Sequence, residues 1–185
     1  MDTNKNLFWN KAMFWGFIIA LASMLATTVY YTSDSMLSKS KSWVEMAIYT
    51  IGIVLCAIAY KKTLTENDEF PYSKALGLGV ATAFFASLIL AIFTYVLYKF
   101  IDSSLMDEIL LNAEEVLLES GFSDDMIEKQ LEMQQKFVTP AFLTITTIFS
   151  VVLTGLIISL ITSIFVRKPV ADGFKAAMNE IDDED

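Results

Sequence analysis

The stretch FPYSKALGLGVATAFFASLILAIFTYVLYKF, Phe70–Phe100, decides the fold. Between Lys74 and Lys99 it runs for 24 residues without a charge. A helix rises about 1.5 Å per residue, and about 20 apolar residues cross a hydrocarbon core of about 30 Å. Residues 75–98 therefore read as a membrane-spanning helix. Within it Ala75, Gly79, Ala83, Ser87 and Ala91 recur at every fourth position, and small residues at that spacing let helices approach closely in lipid. A strict four-residue repeat drifts around a helix of 3.6 residues per turn, so these five positions wind across two neighbours. The pattern predicts that this span is the central helix of a bundle.

Three further uncharged or nearly uncharged runs supply the neighbours. Ala12–Tyr31 is long enough to span, with Trp9 and Trp15 near its start and Tyr30 and Tyr31 at its end, as in the aromatic belts of the two interfaces. A cleaved signal peptide is the rival for this run, because Ala20-Leu21-Ala22 fits a small-x-small cleavage pattern. The apolar stretch continues past that triplet, which favours a retained span. Trp43–Tyr60 is the shortest run, with Glu45 close enough to Trp43 to sit at headgroup level. Pro140–Val166 is the fourth, with Thr139 as its cap and Pro140 in the first turn, where a missing N–H costs nothing. Ala12, Gly16 and Ala20, then Gly52 and Cys56, then Gly155, Ser159 and Ser163 give these spans their own small-residue positions.

Composition agrees. Hydrophobic residues make up 55% of the 185-residue chain and mean hydropathy is +0.51, above the usual soluble range of about 45–50% apolar. Charged residues are only 19%, yet the net charge is −9, so the charge is crowded into short segments. The acidic balance argues against nucleic acid as a partner, because phosphate binding needs a basic surface. Histidine, the commonest general base and metal ligand, does not occur in the chain. The lone cysteine, Cys56, allows no internal disulfide or thiolate zinc cluster and reads as a small packed residue.

The most acidic segment follows the central span. Residues 101–136 hold ten Asp or Glu against Lys129 and Lys136. Ser103 or Ser104 can cap a helix whose first turn carries Asp107 and Glu108. Met106, Ile109, Leu110, Ala113, Val116 and Leu117 form its apolar stripe. Gly121 stops that helix and Ser123 caps a second one, with Met126, Ile127, Leu131, Met133 and Phe137 as its less regular apolar face. The expectation is an extramembrane helical hairpin over 103–137. It can dock on the span ends as a cap, lie in the headgroup layer, or offer its stripe, around Leu117 and Leu131, to a partner. Asp124, Asp125 and Glu128 suit a helix N-terminus better than the alternating oxygen ligands of a calcium loop.

Catalytic signatures are missing: no phosphate-cradling loop, GxSxG elbow, HExxH or dinucleotide fingerprint occurs. Tyr72, Ser73 and Lys74 bring a hydroxyl near an amine, but nothing in the sequence activates them. No cofactor or metal is expected. None of the four runs has a charge at its centre, where proton relays and voltage sensors place one. Thr144, Thr146, Thr147, Ser150 and Thr154 make the fourth span the most polar, able to line a path in an oligomer or to bond their own helix's carbonyls.

Tyr72, Lys74, Ala75 and Gly79 at the entry to the third span, the acidic insertion after it and the Pro140 entry to the fourth give the chain a family likeness. It resembles a bacterial domain-of-unknown-function family of small four-span membrane proteins, over about residues 7–168. The resemblance implies an integral protein of the bacterial inner membrane and carries over no activity or site residues. With both termini inside, the inner segments hold eight Lys or Arg and the outer ones five, a positive-inside bias that puts the termini in the cytoplasm and the hairpin in the periplasm.

The expected molecule is thus an all-α membrane protein with four transmembrane helices, about 12–31, 43–60, 75–98 and 140–166, followed by an acidic tail, 169–185. Its expected partners are the lipid bilayer and either a second copy or another membrane protein. The leading function is a non-enzymatic structural or partner-binding component of the envelope. The alternative is an oligomeric transport or channel component lined by the fourth span.

Overall fold

The structure, a computed structural model, describes residues 2–64 and 70–167, with side chains from residue 6. The acidic tail over 169–185 lies outside the described residues. The fold is all-helical: α1 (Asp2–Thr32), α2 (Lys39–Lys61), α3 (Tyr72–Val96), α4 (Leu105–Glu119), α5 (Asp124–Phe137) and α6 (Pro140–Val166). Four of these segments, Asn6–Thr32, Lys39–Lys61, Tyr72–Ile101 and Pro140–Val166, are long and apolar enough to cross a membrane. The helices extend past the uncharged runs, because Lys and aromatic residues at the ends keep helical geometry while their polar tips reach the headgroups.

The outer faces of the long helices are paved with exposed Phe14, Leu25, Ile51, Ile92, Phe149 and Phe165. An apolar surface of that extent is stable only with lipid as its solvent. The chain is therefore an integral, multi-pass membrane protein. Inside lipid the helices gain little by hiding apolar surface from one another, so close contact must hold them.

That contact centres on α3. In its most apolar window 44% of residues are buried, against 22–28% for the other three spans, and it packs on α1, α2 and α6. The α3–α6 interface is the most extensive. There a Cβ on Gly155 would collide with the Cβ of Ala83, and one on Gly79 would strike the Ser159 side chain and lie 3.1 Å from Ile53. On another side of α3, a Cβ on Gly16 of α1 would come within 2.8 Å of both the Thr82 carbonyl and the Phe85 Cβ. Only hydrogen on the α-carbon permits these approaches.

The core has three layers. At the end shared by the α2–α3 loop, Tyr60 and Phe70 pack with Ala12, Cys56, Ala75 and Leu78. Mid-bundle, Ile19, Ala20, Ile53, Ala86 and Leu90 meet Val151 and Ile158. At the hairpin end, Met36, Leu97 and Leu105 close the bundle under Tyr30 and Tyr98. Cys56 is fully buried, with Sγ 3.3 Å from the Thr82 hydroxyl.

Helix ends follow local chemistry. The Thr139 Oγ1 accepts the Phe142 N–H at 3.3 Å, with Pro140 in the first turn of α6. Gly121, at φ +76°, ends α4 in a left-handed turn, with Phe122 N–H donating to the Leu117 carbonyl and Gly121 N–H to Leu118, the double bond of a Schellman stop. The same pair of bonds ends α1, from Ser35 to Tyr30 and from Asp34 to Tyr31, with Asp34 at φ 49° in the glycine-like seat. At the start of α4 the cap differs from expectation. Asp102, not Ser103 or Ser104, supplies the acceptor, taking the Ser104 N–H at 2.9 Å and its hydroxyl at 2.5 Å. A carboxylate two residues ahead outcompetes a neutral hydroxyl for these donors.

Candidate functional site

Near the hairpin end the bundle opens into a cleft of about 420 Å³. Its floor comes from α1 and α3: Ser23, Thr27 and Leu90 are buried there, with Thr94 and Tyr98 partly covered. Its two lips are the first halves of α2 and α6. Ser42 and Met46 on one lip, Thr146 and Ser150 on the other, are exposed. Both lips belong to membrane-crossing segments, so the cleft faces sideways, between α2 and α6. The volume lies at the lower end of the range of small-molecule sites, about 300–1,000 Å³.

The cleft is hydroxylic. Ten of its lining residues are Ser, Thr or Tyr. Thr146 and Thr147 donate to the carbonyls of Phe142 and Leu143, each at 2.9 Å, and Thr147 also lies 3.5 Å from the Thr94 hydroxyl on α3. Ser23 is 1% exposed, and its Oγ has no hydrogen-bond partner among the described residues. At the mouth, Lys41 pairs with Glu45 at 3.5 Å, and both line the opening. Counting along the helices, Glu45 lies about 9 Å and Tyr49 about 15 Å from the start of α2, while Thr154 lies about 21 Å into α6. The cleft thus runs from the interface to mid-bundle, where Gly155 against Ala83 shuts it.

The fourth-span hydroxyls divide. Thr146, Thr147, Ser150 and Thr154 line the cleft, while Thr144 lies outside it and donates to Pro140 at 2.7 Å. Of the third-span series, Gly79 and Ala83 face α6, Ala75 joins the layer at the loop end, and Ser87 and Ala91 are buried. Tyr72 and Lys74 have packing roles: the Tyr72 hydroxyl donates to the Leu160 carbonyl on α6 at 3.3 Å, and the Lys74 ammonium lies 5.6 Å from the Tyr60 ring centre. Sequence reasoning missed Ser23, Thr27, Tyr49 and Tyr98. They lie on three different helices, and no spacing within one segment could have gathered them.

The hairpin is rooted, not spread, on the bundle. Leu105 is buried against Leu97 and Met36, after a single π-helical turn over Leu97–Ile101 that ends as the Asp102 N–H donates to the Leu97 carbonyl at 2.9 Å. Tyr31 at the end of α1 donates to the Asp102 carboxylate at 3.1 Å. The Ser104 hydroxyl and N–H hold that carboxyl below the usual carboxylate range. Beyond this root α4 and α5 pack on each other. The expected cap is therefore confined to the root. Leu117 and Leu131 are half-buried and Ile127 is buried, while Leu111, Val116, Leu118, Met126 and Met133 remain exposed.

A family model described as "Protein of unknown function (DUF4199)" matches residues 14–168, which takes in α1 from Phe14 onward and everything through α6. The chain belongs to the DUF4199 family. The match covers the cleft, the hairpin and the α3–α6 contact of this DUF4199 chain together, so all three lie within the family's domain. No curated protein and no solved structure matches it.

Proposed function

We propose that the protein is a non-enzymatic, multi-pass component of the bacterial inner membrane that holds a membrane-protein partner, or a second copy of itself, through the α4–α5 hairpin. One observation carries the reading. Leu111 is 63% exposed, Val116 53% and Met133 56%, on two helices whose nine carboxylates keep them in water. Apolar side chains left in water on a segment otherwise built to be soluble mark an interaction face. The Lys and Arg distribution supports termini in the cytoplasm and the hairpin in the periplasm. The net charge of −9 argues against nucleic acid as the partner.

Photo-crosslinking residues at 111 and 133, activated in cells, test the idea. A discrete crosslinked band is expected from both sites. The absence of any crosslink, with a monomer in detergent, refutes the reading. For the orientation, a reporter active only outside the cytoplasm should work when fused at residue 120 and fail at residue 65; the reverse pattern overturns it.

A second reading, an oligomeric transport component, draws on the four α6 hydroxyls in the cleft. It requires an opening at Gly155–Ala83. Solute flux in liposomes that is lost in Thr147→Phe or Thr154→Phe would replace the first reading with this one.

A further inference from the structure

We infer that the lateral cleft is a binding site for a zwitterionic phospholipid, with the headgroup phosphate at Lys41, its ammonium at Glu45, and the ester region among the hydroxyls below. The inference is independent of the hairpin's role.

The opening comes first. The exposed lining residues, Ser42, Met46, Thr146 and Ser150, all lie on the two lips within membrane-crossing helices. A molecule entering between α2 and α6 therefore arrives from the bilayer. The donor chemistry comes second. Phosphate and ester oxygens only accept hydrogen bonds; Thr146 and Thr147 spend their one O–H on carbonyls of α6, while Ser42, Thr94, Ser150 and Thr154 line the same cleft with hydroxyls that can donate. Ser23 lines the cleft at 1% exposure beside the Tyr49 hydroxyl, and within hydrogen-bond distance its Oγ has no partner among the described residues. A buried hydroxyl without a partner is unfavourable in a protein interior, and a bound ester carbonyl at this depth accepts its proton.

Charge selects the headgroup. Lys41 and Glu45 are the charged residues of the lining, and their 3.5 Å pair cancels. A zwitterion can exchange that pair for two of its own, ammonium to Glu45 and phosphate to Lys41. A headgroup with net negative charge would meet Glu45 without an ammonium to offset it. It would also lie near the hairpin, whose nine carboxylates give that end of the molecule a repulsive field. The depth fits as well: the ion pair is beside the interfacial Trp43, where headgroups reside, and the hydroxyls continue inward for about 10 Å.

The test uses the full chain, purified and equilibrated in micelles containing equal phosphatidylethanolamine and phosphatidylglycerol, and read by native mass spectrometry. One retained phosphatidylethanolamine is expected, preferred over phosphatidylglycerol by about tenfold, equivalent to about 1.4 kcal/mol. Glu45→Gln should remove most of that preference while the fold persists. Thr147→Phe, which fills the cleft from its α6 lip, should abolish retention altogether. A Ser42→Ala, Ser150→Ala double substitution, which removes one hydroxyl from each lip, gives a conservative second loss should the Phe variant fail to fold. Thermal stability measured in parallel separates lost binding from lost structure. Equal retention of both lipids, no retained lipid in the wild type, or unchanged retention in folded cleft-filled variants would each overturn the assignment.

Discussion

Adding one methyl group at Gly155 should weaken the bundle, while adding one at Gly77 should not. A Cβ on Gly155 falls inside contact distance of the Ala83 Cβ and 3.7 Å from its Cα. The Ala83 methyl has no torsion by which to move away, so α3 and α6 must separate or shear along their largest interface. Overpacking of this kind costs about 1–3 kcal/mol. Replacing a mid-helix glycine by alanine returns about 0.5–1 kcal/mol of backbone entropy, so Gly155→Ala should lose on the order of 1 kcal/mol, up to about 2.5. At Gly77 the nearest atom to an added Cβ is the Phe8 ring tip at 3.9 Å, an ordinary contact. Gly77→Ala should therefore gain about 0.5–1 kcal/mol.

Cys56 provides the assay. It is the sole cysteine and fully buried, so a thiol-reactive fluorophore reports the bundle opening on heating in mild detergent. At about 2–4 °C per kcal/mol for a chain of this size, the two variants should move the midpoint in opposite directions by a few degrees. Placing Ala83→Gly in the Gly155→Ala background should recover stability, with a coupling of about 1 kcal/mol or more. If Gly155→Ala is as stable as the wild type, or Ala83→Gly gives no rescue, the close α3–α6 approach is wrong.

Asp34→Gly should stabilise the protein by up to about 1 kcal/mol, because Asp34 holds a left-handed conformation at φ 49° that costs an L-residue about 1–2 kcal/mol; thermal midpoints of D34G and D34V should rise and fall respectively. Thr139→Ala should cost about 1 kcal/mol through the lost α6 cap, measured in the same assay and partly restored by Thr139→Ser. Asp102 binds its partners as the carboxylate, with its titration moved below the usual range. Its contribution to stability is therefore complete above the unfolded value of about 3.9 and is lost as pH falls through the lower folded value. Stability of the wild type should drop across that acid window, and Asp102→Asn, already lacking the charge, should show a shallower fall.

The cleft marks where local reading stopped. Thr146, Thr147, Ser150 and Thr154 are conspicuous in sequence as a polar face of one span, yet nothing in the order of residues pairs them with Ser23 or Tyr98. The hairpin shows the opposite case. Its acidic first turns, its apolar stripe and its Gly121 stop are local signals, and the helices follow them. What the stripe touches is a tertiary matter: at the root Leu105 is buried against the bundle, and at the far end of α5 the Phe137 ring packs 5.4 Å from that of Phe142 on α6. Asp102 is instructive too: a Ser-Ser pair suggests a hydroxyl cap, but the preceding carboxylate takes the bonds once the π-helical turn brings it under Ser104.

The sequence by itself determined that this chain crosses a membrane four times and carries a water-facing hairpin, because charge-free length and helical periodicity are properties of single segments read against a 30 Å hydrocarbon slab. It also marked α3 as the helix that neighbours approach, since small side chains limit approach whatever their partners. The tertiary structure alone decided which atoms meet: Gly155 on Ala83, Gly79 on Ser159, Gly16 on the α3 backbone. It alone decided that α2 and α6 part at one end, leaving hydroxyls from four helices around a common space. The reason is physical. In lipid, helix pairing is selected by shape at contact distance and not by hiding apolar surface, and shape at an interface belongs to two segments at once.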